Sequence, residues 1–394
     1  MGFEEWKEYR LGDFADVQNG YAFKASDFVN AGIPIIKIKN IASSQIKFED
    51  VQYYNGKIAG KLEQFLIKKD DVLISMTGSN VNQMASAVGK VGKYQFDFPA
   101  LLNQRVGKVY IKKSNIADHK FLYYFLNKFE TQFELASSAG GSANQANISP
   151  TQIKNLSLIL PPLNIQQRIA SILSSLDDKI ELNRQTNQTL EAIAQALFKE
   201  WFVDFNFPGA TGEMQDSELG EIPRGWEIQK VSEVLEVKYG KDHKHLEPGN
   251  IPVYGSGGVM RFANRSLYEN ESILIPRKGT LSNLFYINKP FWSVDTMFYS
   301  KIKLANGGKY LFHLLLSLNL ASMNVGSAVP SLTTEILNNI LVTIPSEELL
   351  SKYENVVSSL FNQREQNIEM NSSLTELRDT LLPKLMKGEI NISN

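Results

Sequence analysis

LPPLNIQQRIASILSSLDDKIELNRQTNQTLEAIAQALFKEWFVDF, residues 160–205, decides how the rest of the chain is read. Asn164 can cap a helix start, and Gln167, three positions on, can reach back to it. Behind this cap Ile169, Leu173, Leu176, Ile180, Asn183, Asn187, Leu190, Ala194, Leu197 and Trp201 follow steps of four and three. That spacing is the a/d seam of a coiled coil, sustained for more than four heptads. At 1.5 Å per residue the span 169–201 is about 50 Å long.

A shift of 184 residues reproduces the seam as Tyr353, Val357, Leu360, Arg364, Asn367, Asn371, Leu374, Arg378 and Leu381. Pro383 is expected to end this second helix, because proline removes a backbone donor and crowds the preceding turn. Both seams are apolar at their ends and polar in the middle. Antiparallel pairing would set polar centre on polar centre and apolar end on apolar end, relating the two halves by a pseudo-two-fold axis. Buried Asn and Arg cost stability but penalise wrong registers. The competing reading is two ordinary long helices packed on their own domains with solvated Asn side chains; the length of the pattern favours the coiled coil.

Outward from the helices, the chain repeats itself. Trp6, Leu11, Phe14, Val17 and Gly20 recur 220 residues later as Trp226, Val231, Val234, Val237 and Gly240. Ile33-Pro34 recurs as Ile251-Pro252, and Val72-Leu73-Ile74 as Ile273-Leu274-Ile275. Toward the end of each half the offset is 184: Leu156 with Ile340, Pro161 with Pro345, Ser174-Ser175-Leu176 with Ser358-Ser359-Leu360. Short apolar runs at 33–41, 71–76, 106–111, 272–277, 297–303 and 340–344 predict strands, and 116–135 and 308–321 predict amphipathic helices. Phe207-Pro208-Gly209-Ala210-Thr211-Gly212, with the acidic stretch to Pro223, marks a linker.

At 394 residues there is room for two to three domains with their own cores. With no cysteine there is neither a disulfide framework nor a cysteine metal site, as suits a reducing cytoplasm. No apolar run approaches a membrane span, and the start of the chain lacks the basic character of a signal peptide. Net charge is −1, unevenly spread. Residues 1–160 hold 19 Lys and Arg against 15 Asp and Glu, and residues 226–345 hold 12 against 9. The segments between and after them are acidic. This alternation suits nucleic-acid contacts confined to two modules, though the excess is too small to decide anything alone.

The stretch 160–205 closely resembles the central region of type I restriction-modification specificity subunits, and SELGEIPRGWEIQKVSEVLE, at 217–236, resembles the entry to that family's second target-recognition domain. The resemblance covers essentially the whole chain. It implies that each recognition domain reads one half of a split double-stranded DNA site, and that two antiparallel helices set the gap between halves. It implies partners too: methyltransferase (modification) subunits, two of them, one on each pseudo-symmetric side, and restriction or motor subunits where the complex cuts. Those partners would bring S-adenosylmethionine and the catalytic residues; the chain itself is expected to hold no cofactor and no metal.

Base readout needs side chains that match donor and acceptor patterns on base edges, and phosphate contacts need cations or backbone N–H groups. In the first module Thr77, Ser79, Asn80 and Gln83 leave a strand in a polar loop, Asn103-Gln104-Arg105 forms another, and Ser142, Asn144 and Gln145 lie in a Gly- and Ser-rich third. Lys37, Lys39 and Asn40 flank a strand. The counterparts in the second module are Tyr254 and Ser256, then Arg277, Lys278, Thr280, Ser282 and Asn283, then Asp295-Thr296, and Ser327. Each loop taken singly also reads as a plain turn; their occurrence in both halves points to the regions more than to any one residue.

Phe198, Trp201, Phe202 and Phe205 are more large side chains than one seam can bury. They are read as a patch for partner binding, the competing reading being packing against the adjoining module.

Two rival functions stay open. A self-sufficient methyltransferase or nuclease would need a site, yet His243-Lys244-His245 has no third ligand at useful spacing, and the G-x-x-x-x-G-K-[ST] phosphate loop is absent. No Asn/Asp-Pro-Pro-aromatic methyltransferase signature appears either; Pro161-Pro162 lies between Leu160 and Leu163. A purely structural coiled-coil adaptor explains the helices but not two modules with polar loops. The favoured fold is α+β: target-recognition domain 1 (residues 1–160), a central long helix (161–205), a linker (206–225), target-recognition domain 2 (226–345) and a C-terminal long helix (346–394). Both domains are mixed α/β, and the helices pair antiparallel as a coiled coil within an internal pseudo-two-fold repeat.

Overall fold

The computed structural model describes residues 6–42, 44–48, 50–142, 145–324, 330–390 and 392. The chain forms two compact units, Met1–Glu181 with Met370–Asn394 (unit 1) and Leu182–Glu369 (unit 2). The long helices Leu163–Phe202 and Glu347–Met386 each give one part to each unit.

The two sequence offsets meet in one strand pair. In unit 1 Lys7–Arg10 lies antiparallel to Ser157–Leu160, with Lys7 opposite Leu160. In unit 2 Glu227–Lys230 lies antiparallel to Leu341–Ile344, with Glu227 opposite Ile344. Glu227 follows Lys7 by 220 positions and Ile344 follows Leu160 by 184. One strand of the repeated pair therefore carries each offset, which is why both persist in a diverged sequence.

Next to this pair, three strands recur. Ala15–Asn19 pairs with Val106–Ile111, which pairs with Val72–Ser75. Leu235–Tyr239 pairs with Met297–Ile302, which pairs with Ser272–Pro276. Val72–Ser75 and Ser272–Pro276 are buried along their whole lengths, as continuous apolar runs must be when both faces are covered. The helices His119–Leu126 and Gly308–Ser317 supply core residues to the respective units. In unit 1 Leu11, Phe14, Ile74, Phe121, Ile169 and Leu173 join one core, and in unit 2 Val231, Val234, Ile275, Leu311, Tyr353 and Val357 do the same. The apolar ends of both seams are thus built into the modules.

Pairing of the long helices is antiparallel in each unit. In unit 2 the Asn367 side chain donates to Asn187 Oδ1 at 2.8 Å, and Arg364 contacts Glu191 at 2.5 Å. In unit 1 Asn371 donates to the Ile180 carbonyl at 3.2 Å, and Arg378 donates to Asp177 at 2.8 Å. Asp177 also accepts the Tyr124 hydroxyl at 2.6 Å, tying the seam to the module helix. The polar centres do meet polar centres.

Three local expectations are corrected. Residues 116–135 are not one helix: Asp118 caps Phe121 at 2.9 Å to start His119–Leu126, then Lys128, extended at ψ 144°, separates it from Phe129–Ser138. The helix expected at 308–321 stops at Ser317, where Leu318 turns extended at ψ 129°. The second long helix also passes Pro383 and ends at Met386. Proline lacks a donor but keeps its carbonyl, which accepts from the Lys387 N–H at 3.1 Å. Termination falls to Gly388, at φ +68°, with Glu389 N–H closing back on the Lys384 carbonyl at 2.9 Å. That is a left-handed cap of the kind glycine adopts without steric cost.

His313, on the Gly308–Ser317 helix, is 4% exposed and its Nδ1 lies 2.9 Å from the Lys309 carbonyl and 3.0 Å from the Tyr353 hydroxyl. Burial drives its pKa down to about 4, and the hydrogen bond to Lys309 opposes this only in part. The folded pKa lies below the unfolded one, so the unfolded state takes the proton first. His313 is then neutral to stability above about pH 6.5 and costs more as pH falls toward 4, by about 2–3 kcal/mol at the bottom. Denaturant melts of the wild type and His313→Leu should diverge in that window, the variant losing less stability on acidification. Parallel pH profiles would reject the assignment.

Candidate DNA interface

Leucine, valine and isoleucine fix the strands, and the loops that leave them are held by repeated backbone bonds. In unit 1 Met76 N–H donates to Arg105 O at 2.9 Å and Ile148 N–H to Met76 O at 3.0 Å. In unit 2 Arg277 N–H donates to Thr296 O at 2.9 Å and Leu332 N–H to Arg277 O at 2.9 Å. Tyr21 N–H meets Leu102 O at 2.8 Å just as Lys241 N–H meets Ser293 O at 2.9 Å. Before these residues stand Gly20 and Gly240, where an added Cβ would lie 2.1 Å from the Asn103 and Val294 carbonyl oxygens respectively. Only glycine permits that approach. The same four chain segments therefore converge in both units on one backbone frame.

In unit 1 the frame opens into a recess of about 490 Å³. Thr77, Gln104, Arg105 and Gln145 line it, as do Asn19 and Asn147. Thr77 Oγ1 donates to Asn147 Oδ1 at 2.7 Å, which fixes the Asn147 amide, while Gln104, Arg105 and Gln145 are exposed. Ser142, exposed, sits opposite Gln145 in the hairpin beside it. Asn144 lies outside the described residues.

The other expected residues of unit 1 are not among those lining the recess. Ser79 shares a hydrogen bond with Ser86 at 2.9 Å, Asn80 caps Asn82 N–H at 3.0 Å, and Gln83 is exposed on the following turn. Asn103 is half-buried below Gln104. Lys37 lies 3.6 Å above the Phe28 ring, its pKa lowered by burial and then by Lys39; Lys39 faces Asp50 at 3.8 Å. Asn40 is withdrawn from the candidates. It is 1% exposed, accepts from Lys37 N–H at 3.0 Å and donates to Lys47 O at 3.1 Å. Its amide closes a turn and is buried away from the surface a base would reach.

In unit 2 Arg277, Lys278, Asp295 and Thr296 occupy the frame, with Lys278 bridged to Ser331. Arg277 Nε donates to the Asp295 carbonyl at 3.0 Å, and its guanidinium lies 5.7 Å from the Tyr239 ring centroid. Asn283 donates to the Ser256 carbonyl at 3.0 Å, and Thr280 and Ser282 are exposed on the same loop. Tyr254 is withdrawn: it is 8% exposed among Phe285 and Phe291, and burial pushes its hydroxyl up to about 12. Ser327 lies outside the described residues.

Sequence reasoning placed Asn147 in its third polar loop without singling it out, and it passed over Asn19 in unit 1 and Tyr239 and Ser331 in unit 2, which the fold brings to the frame. The signal was available. The offset of 220 sets Asn19 on Tyr239, one residue before the paired glycines, and the offset of 184 sets Asn147 on Ser331.

The aromatic patch is corrected. Phe198, Trp201 and Phe202 are 4%, 8% and 5% exposed, packed in the unit 2 core, and Phe205 is half-buried edge-on to Trp226 at 5.5 Å. The adjoining module covers them, so they do not form an exposed docking surface.

Among the described residues no three His, Asp or Glu side chains cluster as a metal site, and no helix is long and apolar enough to cross a membrane. The family model of the type I restriction modification DNA specificity domain matches residues 3–192 and 223–370. The specificity subunit of type I restriction enzyme MjaIX from Methanocaldococcus jannaschii is 25% identical, over 99% of this chain and 94% of the relative. That of the HindI enzyme from Haemophilus influenzae is 26% identical, over 98% of this chain and 100% of the relative. The crystal structure of a type-I restriction-modification S subunit from M. genitalium shares the fold, with a TM-score of 0.57 over 96% of each chain at 20% identity. A family match over both halves, resting on a frame that occurs twice, leaves one conclusion: the chain belongs to the type I restriction modification DNA specificity family, as a specificity subunit that is not itself catalytic.

Proposed function

We propose that the chain reads a bipartite, gapped double-stranded DNA site, one half per module, and scaffolds the methyltransferase and restriction subunits of a type I complex. The observation that carries this reading is the repeated frame: one backbone arrangement presents two different side-chain sets, Asn19, Gln104, Arg105 and Asn147 in one unit and Tyr239, Arg277, Asp295 and Ser331 in the other. A constant scaffold with diverged polar tips is what two unlike half-sites require, because sequence is read by side chains on base edges while the backbone only positions them. The modest basic excess of each module predicts salt-sensitive binding by the chain alone, with partners supplying further phosphate contacts. Two-fold-related readers are commonly spaced by about one DNA turn, and the paired helices are the element suited to hold such a spacing.

The test is a module exchange. Residues 1–160 are replaced by the corresponding domain of a relative, the chain is co-expressed with a type I methyltransferase subunit from its native host, and the host DNA is sequenced for methylated bases. One half of the methylated site should change and the other stay. A change in both halves rejects independent modules, and methylation without sequence preference rejects the reading altogether.

A further inference from the structure

The repeated frame places unlike residues at equivalent positions, and one of them is built as a fork. We propose that Arg277 is the guanine-reading residue of unit 2, and that the half-site it reads contains a G·C pair at the position it faces. This rests on the proposed DNA-reading function and adds a residue and a base to it.

Three observations carry the assignment. Arg277 sits in the frame through its backbone, which donates to Thr296 O at 2.9 Å and accepts from Leu332 N–H at 2.9 Å, so its Cα position is set by the fold. The guanidinium is then held between two neighbours: Nε is committed to the Asp295 carbonyl at 3.0 Å, and Cζ lies 5.7 Å from the Tyr239 ring centroid. Tyr239 is itself placed by its strand and by its hydroxyl, 3.5 Å from Thr334 Oγ1. With Nε used, the two terminal nitrogens, which have no hydrogen-bond partner among the described residues, are what remains for a ligand. Two parallel N–H donors on a pre-oriented plane match the O6 and N7 acceptors of guanine in the major groove, the pattern no other base presents there. Orientation by protein groups also lowers the entropy lost when the fork binds.

The equivalent position in unit 1 strengthens the contrast. Met76 makes the same two backbone bonds but is 7% exposed and cannot donate. Its frame instead offers the amides of Asn19, Gln104 and Asn147 beside Arg105. The two frames are thus unequal in chemistry at a position where their backbone bonds match.

Lysine keeps the charge of Arg277 but not the fork, and methionine is the residue the frame already accepts in unit 1, so Arg277→Lys and Arg277→Met should both fold. Each is co-expressed with the methyltransferase subunit and the methylated sites are sequenced, beside salt-dependent binding of the purified complex to site and non-site duplexes. The wild type should show a G·C pair that both variants relax, with discrimination there falling about tenfold to a hundredfold and the rest of the site unchanged. Arg277→Lys should keep most of its affinity for non-site DNA. If Arg277→Met weakens all sequences equally and Arg277→Lys restores them, Arg277 is a phosphate contact and the assignment is overturned. A variant whose methylated site equals the wild type's also overturns it. A wild-type complex with no sequence preference would instead overturn the DNA-reading function itself, so the two failures are told apart.

Discussion

Phe202→Asp is expected to prevent unit 2 from folding. The ring is 5% exposed and lies 4.7 Å from the Tyr310 ring, 4.9 Å from Tyr353 and 5.5 Å from Phe198. Deleting a buried phenyl costs about 3–5 kcal/mol, and a carboxylate without a partner at that place adds several more. The total matches the 5–15 kcal/mol that holds a typical domain together. Phe205→Asp is a milder change, because Phe205 is half-buried and meets Trp226 edge-on at the margin. About 1–2 kcal/mol is expected there. Limited proteolysis and denaturant melts separate the two: Phe202→Asp should be cleaved throughout residues 182–369 without denaturant, while Phe205→Asp should melt cooperatively at a lower midpoint. A Phe202→Asp protein as stable as the wild type would mean that this aromatic group is not the core that the packing indicates.

The reason the four aromatics were misread bears on what a sequence can carry. Heptad spacing reports one helix face, and it places Trp201 on the seam correctly, but a helix that also roofs a module has a second apolar face. Phe198 and Phe202 belong to that second face, in contact with Tyr310 from the module. Tyr254 was misjudged for a similar reason. Its strand Ile251–Gly255 lies between Gly258–Ala263 and Trp292–Ser293, and nothing in the run Ile-Pro-Val-Tyr-Gly tells which side is covered. What was legible was whatever repeats: two offsets located the strand pairs, the seams and the paired glycines. The side chains between those anchors diverge, as the proposed reading of two different half-sites would require, so the recess in unit 1 and the geometry of the Arg277 fork in unit 2 emerged only with the fold.

The helices themselves offer the other large effect. On the proposal that they set the DNA gap, lengthening both by one heptad should lengthen the gap by a matching amount. Asn187 faces Asn367 and Glu191 faces Arg364, so insertions after Gln188 and after Gln366 fall opposite one another. A heptad in each helix preserves the seam and adds about 10 Å at 1.5 Å per residue. With about 3.4 Å of rise per base pair, the methylated half-sites should move apart by about three base pairs. Four residues placed after Gln188 alone act differently. They displace residues 189–202 by about 6 Å and rotate them by about 40° against the facing helix. The Glu191–Arg364 contact is then lost and seam residues meet the wrong partners, so DNA binding should fail or the gap should shift with much reduced methylation. Both chains are co-expressed with the methyltransferase subunit and their methylated sites sequenced. A matched insertion that assembles and methylates at the original gap would show that the helices hold the modules without measuring the distance between half-sites.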